Sequence, residues 1–206
     1  MNNQFHAYGK NSIRKQNLEK RMLQTIFFPN KWNFHYFFNM MKDCQQFIIA
    51  CISEIDHSWI IKLLVLLANA GRKIYLIMDC KEDQKNDELF QAVICELLIE
   101  SQFKIKIVVN TTKYESLPTN FCVIDGKVLI TTSANWTINS FNKSHEWMML
   151  DKKYDNIVQM IEIFEQMWNQ FKFVTFINED IALLDYDDSQ FQPVFTYSQD
   201  CVVDTL

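Results

Sequence analysis

Glycine and proline each occur only three times in 206 residues, against usual shares of roughly 7% and 5%. Collagen-like, low-complexity and glycine-rich phosphate-loop architectures are thereby excluded. The six cysteines (Cys44, Cys51, Cys80, Cys95, Cys122 and Cys201) include no C-x-x-C pair. A structural zinc site, whose ligands come in closely spaced pairs, is not expected. Cysteines set mostly in apolar runs suit buried free thiols in a reducing compartment. The longest apolar stretch, Trp59 to Ala70, is broken by Lys62 and is too short to span a bilayer. There is no secretory signal, no internal repeat and no cofactor box. Leu63, Leu64 and Leu67 read as core or interface.

What is present is a large stock of core material, 49% apolar and 14% aromatic, which excludes wholesale disorder. The formal charge of −5 is unevenly placed. Residues 1–31 carry six bases (Lys10, Arg14, Lys15, Lys20, Arg21, Lys31) against the single acid Glu19. Residues 173–206 carry seven acids (Glu179, Asp180, Asp185, Asp187, Asp188, Asp200, Asp204) and no base. Oppositely charged ends on a mildly acidic body point to protein partners docked through the tails. The net negative body argues against nucleic acid, because counterion release needs clustered Lys/Arg. The basic, acid-poor first 25 residues have the composition of a mitochondrial targeting segment.

Periodicity alternates between strand and helix. Phe47 to Ile55 is a β-branched run suited to a buried strand, and Ser58 is placed to cap a helix from Trp59 to Ala70 that ends at Gly71. Lys73 to Asp79 reads as a strand. Asp87 opens a helix whose Leu89, Phe90, Val93, Ile94, Leu97 and Leu98 form one stripe, followed by a strand from Lys104 to Val109. Phe121 to Thr131 reads as a hairpin turned at Asp125-Gly126. His145 to Asp151 reads as a strand. A last helix near 155–171 sets Ile157, Ile161, Phe164, Trp168 and Phe171 on one face. This order predicts an α/β sandwich, with a central mixed sheet flanked by helices.

Residues 117–147 (LPTNFCVIDGKVLITTSANWTINSFNKSHEW) resemble the single-motif phospholipase D superfamily, in particular its mitochondrial cardiolipin hydrolase (Zucchini-type) branch. The motif of that branch is H-x-K-x(4)-D-x(6)-G-S-x-N, with a glutamate some ten residues later. IFFPN (26–30) resembles its opening strand and EQMWNQF (165–171) its C-terminal helix. The resemblance implies a phospholipase D-like domain over 26–172, between a basic extension (1–25) and an acidic one (173–206).

It also implies phosphodiester hydrolysis without a cofactor. In that family a histidine attacks phosphorus, a second histidine protonates the leaving oxygen, and lysine and asparagine hold the phosphate charge. Here the histidine position is Pro118, the lysine position Asn120 and the glycine position Thr132, while Asp125, Ser133, Asn135 and Glu146 match. Proline has neither a nucleophilic lone pair nor an N–H. Asparagine cannot supply a full positive charge. Losing a nucleophile that works in a unit costs on the order of a millionfold.

Each matching residue also has a structural reading. Asp125 opens the Asp-Gly turn, Ser133 and Asn135 end a strand by bonding to nearby backbone, and Glu146 is a solvated or paired acid. Phosphate held by Asn120, Ser133 and Asn135 would be bound weakly, with Asp125 and Glu146 repelling it. His145 is the candidate substitute nucleophile, but on a strand it points away if Glu146 points in.

The expectation is therefore a catalytically inactive phospholipase D-like subunit of a larger, mitochondrial assembly, beside a membrane complex. It would be paired as a homodimer or pseudo-dimer, because single-motif members pair across a twofold axis. The alternatives are an active phosphodiesterase with a rewired site (cardiolipin hydrolase or single-strand endonuclease) and a phospholipid-headgroup or nucleic-acid binding module.

Overall fold

A computed structural model describes residues 23–79, 87–111, 117, 119–177 and 180–184. The elements in chain order are β1 (Leu23–Phe28), α1 (Lys31–Lys42), β2 (Phe47–Ile52), α2 (Ser58–Asn69), β3 (Lys73–Asp79), α3 (Glu88–Glu100) and β4 (Ile105–Asn110). There follow β5 (Asn120–Ile124), β6 (Val128–Thr132), α4 (Ile138–Asn142), β7 (Glu146–Asp151), α5 (Tyr154–Trp168), β8 (Lys172–Ile177) and β9 (Asp180–Leu184). The strands form one sheet in the order β1-β7-β6-β5-β2-β3-β4-β8-β9. β2, β3 and β4 run parallel and the remaining pairs are antiparallel.

The architecture is the expected α/β sandwich around a mixed sheet. Phe34 and Phe37 of α1, Ile60 and Leu64 of α2, Ile94 and Leu97 of α3 and Phe141 of α4 share one core. Ile157, Ile161, Phe164 and Trp168 of α5 fill the core on the other face. β2 is buried at all six positions, because strands covered on both faces lose the two-residue alternation. The sheet begins three residues before position 26 and continues twelve past 172. The rest of the two charged extensions, with Cys80 and Cys201, lies outside the described residues. No helix among the described residues is long and apolar enough to cross a membrane.

Several local expectations hold. The Asp87 carboxylate accepts the Leu89 N–H at 2.8 Å. Asp125 and Gly126 both have positive φ (54° and 64°), and the Lys127 N–H bonds the Ile124 carbonyl at 2.9 Å, a type I′ hairpin turn. Others are corrected. The residue capping α2 is His57, without a side-chain hydrogen bond, and Ser58 is already helical. Leu89 is exposed, because Val93, Ile94, Leu97 and Leu98 take the core side of α3. α1 carries no stripe legible in the sequence. It is set by the Asn30 side chain, which accepts the N–H groups of Trp32 and Asn33 at 2.9 and 3.3 Å, and by burial of Phe34, Phe37 and Met41.

α2 and α3 end with the same hydrogen-bond pattern. Arg72 N–H bonds Leu67 O and Gly71 N–H bonds Ala68 O, both at 3.0 Å; Phe103 N–H bonds Leu98 O at 2.7 Å and Gln102 N–H bonds Ile99 O at 2.9 Å. The left-handed position is Gly71 in α2 but Gln102 (φ 54°) in α3. A side chain there costs about 1 kcal/mol that glycine does not incur. Gln102→Gly should raise the urea unfolding free energy by about 0.5–1 kcal/mol with an unchanged denaturant slope.

Candidate functional site

The carboxyl ends of β2, β3 and β4 and the start of β5 meet at one end of the sheet, where ligands bind in α/β folds. Asn120, the first residue of β5, is buried there. Its Oδ1 accepts the Ser53 N–H at 2.9 Å, and its Nδ2 donates to Ala134 O at 3.2 Å and to Asn135 Oδ1 at 2.8 Å. Asn135 Nδ2 in turn donates to Glu54 at 3.4 Å. Beside this group the Ser133 hydroxyl donates to the Glu146 carboxylate and accepts the Trp147 N–H at 3.0 Å. Thr132, at the glycine position, donates to Trp147 O at 2.8 Å and accepts the Ala134 N–H at 2.9 Å.

Asn120, Ser133, Asn135 and Glu146 are therefore brought together. Pro118 lies outside the described residues. Asp125 is not part of the group: it stands at the far end of β5, five residues on, about 16 Å away. It cannot repel a phosphate at Asn120. Its carboxylate instead accepts the N–H groups of Gln45, Gln46 and Phe47 at 2.8, 2.8 and 3.0 Å and the Cys44 thiol at 3.3 Å. The turn reading was thus incomplete, because the side chain serves the loop entering β2. His145 is exposed and precedes β7, whereas Glu146 begins it.

Ser53, Glu54 and Asp79 escaped the sequence reading. Asp79 ends β3 and accepts the Asn110 side chain at 3.1 Å and the Leu117 N–H at 3.3 Å. Ser53, Glu54, Ile55, Met78, Asp79 and Asp87 line a pocket walled by Leu89, Phe90 and Val93 of α3. The available signal was positional: Glu54 and Asp79 interrupt apolar runs at the carboxyl ends of parallel strands.

Chemically, this group of side chains is neutral or negative. Its hydrogen bonds run between amides, hydroxyls, backbone and the carboxylates of Glu54 and Glu146, with no Lys, Arg or His taking part among the described residues. Among the described residues, three buried thiols are held in the protonated form. Burial, then the neighbouring Asp125 carboxylate, pushes Cys44 up to about 12. Burial, then the charge of Asp79, pushes Cys51 up to about 12. Cys122 is raised by burial and then by Cys44. All three stay protonated at neutral pH, whereas the thiolate is the reactive form. No group of three or more metal-ligating side chains comes together among the described residues.

Because three backbone donors depend on one carboxylate, Asp125→Ala should destabilise the chain by on the order of 3 kcal/mol, read from urea unfolding. A loss below about 0.5 kcal/mol would contradict this role.

The family profile described as cardiolipin synthase, PLD-like domain, matches residues 37–168. No curated protein sequence matches the chain. The fold is similar to that of Nuc, a phospholipase D family member from Salmonella typhimurium, with a TM-score of 0.63 and 15% identity, covering 73% of this chain and 96% of that one. It is similar to NucT from Helicobacter pylori, with a TM-score of 0.59 and 15% identity over 72% of this chain and 98% of that one. Phosphatidylserine synthase from Haemophilus influenzae gives 0.58 and 12% over 80% and 40%. At such identities the likeness is one of fold.

Proposed function

Because the chain belongs to the cardiolipin synthase, PLD-like domain family, we propose that it is a phospholipase D-like protein without phosphodiesterase activity. In this reading it derives from the Zucchini-type branch and serves as a structural subunit of a mitochondrial assembly. The observation that carries the reading is the closed amide network at Asn120, whose donors are spent on Ala134 and Asn135. Where the family motif places a lysine to neutralise phosphate, this chain places a neutral amide already bonded on all sides. Glu54 and Glu146 add negative charge beside it, so a phosphodiester would meet repulsion rather than a cradle.

Hydrolysis of bis(p-nitrophenyl) phosphate should stay at the buffer rate even at high enzyme concentration. Turnover abolished by His145→Ala would replace this reading with that of a rewired phosphodiesterase. Recovery of defined mitochondrial partners with the native protein, identified by mass spectrometry, is the expected result for a subunit.

The pairing proposed is through the rim of the same sheet end. Phe27 and Trp147 are direct cross-strand partners and are 65% and 41% exposed. Apolar side chains grouped in this way favour a covered surface. The Phe27→Asp/Trp147→Asp variant should halve the mass found by light scattering without changing the circular dichroism spectrum. An unchanged mass would rule out this rim as the pairing surface.

A further inference from the structure

His57 joins three helices. It precedes the first turn of α2, its ring stacks on Phe34 of α1 at 4.6 Å and 22°, and it meets Phe141 of α4 edge-on at 5.8 Å. Trp59 closes the group at 6.2 Å. The ring is only 8% exposed, and its Nδ1 has no hydrogen-bond partner. Phe34 and Phe141 also touch each other at 5.0 Å, so the imidazole fills the gap where α1, α2 and α4 converge.

We propose that His57 is an acid-released pin: protonation of its imidazole drives the ring from the Phe34 stack and loosens α1 and α4 from the start of α2. Three features of the site oppose the imidazolium. Protonation makes both ring nitrogens donors, and a buried N–H without an acceptor costs free energy. The surrounding rings exclude water. The first turn of α2 presents the positive end of the helix dipole to the ring.

Three features favour the charged form, the Asp56 carboxylate, a hydrogen bond to the backbone of His57 itself and the face of Phe34. Asp56 is already engaged, since its Oδ1 accepts the Ile138 N–H at 2.7 Å and so holds the start of α4. Drawing it toward an imidazolium competes with that bond. The other charges on the packed elements, Lys31, His35 and Lys42 of α1, Lys62 of α2 and Lys143 at the end of α4, are exposed. Asp56 is the charge that acts on the ring, and burial outweighs it, holding His57 below the ordinary 6.5.

The direction of the pH dependence follows. A histidine whose folded value is depressed contributes its full stability above the unfolded value near 6.5 and loses it as pH falls below that. The movement would reach the degenerate site, because the Asp56 and His57 N–H groups both bond Trp136 O, and Trp136 N–H bonds Glu54 O at 3.0 Å.

The test is the imidazole titration of His57 by NMR on the full chain, with amide hydrogen exchange between about pH 7.5 and pH 5. His57 should titrate below 6.5. After correction for intrinsic exchange, protection in α1 and α4 should fall by up to about tenfold per pH unit below 6.5, while the β2–β3 core keeps its protection. His57→Phe, which retains a ring, should abolish this acid dependence, and Asp56→Asn should move the His57 midpoint lower. If His57→Phe does not fold, His57→Gln is the replacement, and the same loss of acid dependence is expected. A His57 midpoint at or above 6.5 would overturn the proposal. So would the same acid loss of protection in the chain lacking His57.

Discussion

One carboxylate sets the register on which the rest of the molecule depends. Asp125 holds the N–H groups of Gln45, Gln46 and Phe47, and its own N–H bonds Phe47 O at 2.9 Å. This fixes the β5–β6 hairpin against the start of β2, so that Ile48 faces Ile124 and Cys51 faces Phe121. A slip of one residue would turn every β5 side chain to the other face. Asn120 would then leave the Ser53 N–H, and Phe121 and Val123 would leave the core beneath α5. Four donors of the loop from Cys44 to Phe47, three backbone N–H groups and one thiol, are satisfied by a single side chain at a type I′ turn.

The motif therefore divides into two parts, at opposite ends of β5. Asp125 belongs to folding, and its role needs no substrate. At the other end Asn120 bonds Asn135 and Ser133 bonds Glu146. Thr132 shows how complete the change is. At a position where the motif has glycine, its hydroxyl bridges Trp147 O and Ala134 N–H, so the chain gains two hydrogen bonds where a bare backbone would have none. Each such bond contributes about 1 kcal/mol.

Much of the fold was legible because its signals are local. The Asp125-Gly126 turn, the Asp87 cap and the face Ile157, Ile161, Phe164 and Trp168 rest on a few neighbouring residues, and each forms as its chemistry dictates. α1 was not legible: KWNFHYFFNMMK mixes aromatics with asparagines of modest helix propensity, and the Asn30 cap together with burial of Phe34, Phe37 and Met41 orders it. β8 escaped because it joins the sheet through β4, distant in sequence, and β9 joins only through β8. At the site, motif spacing singled out Asn120, Ser133, Asn135 and Glu146, and the structure joins Asn120 to Asn135 and Ser133 to Glu146. The role of Glu54 was not legible, since nothing local says that a loop carboxylate will face an amide eighty-one residues away.

The distribution of covering helices bears on what such a molecule can do. α5 packs on β2, β5 and β6, and its buried face is already used by Ile157, Ile161, Phe164 and Trp168. On that side of the sheet Phe27 and Trp147 stay uncovered, next to the end where Ser133 and Glu146 meet. An active hydrolase needs that end open to substrate and lined with positive charge. This chain has it filled by its own amides and rimmed with apolar rings. Burying those rings against a protein releases hydrophobic free energy of roughly 25 cal/mol per Å², whereas opening the amide network to a phosphodiester would break four bonds and bring an anion toward two carboxylates. In the reading proposed above, the same end of the sheet is energetically suited to being covered by a partner.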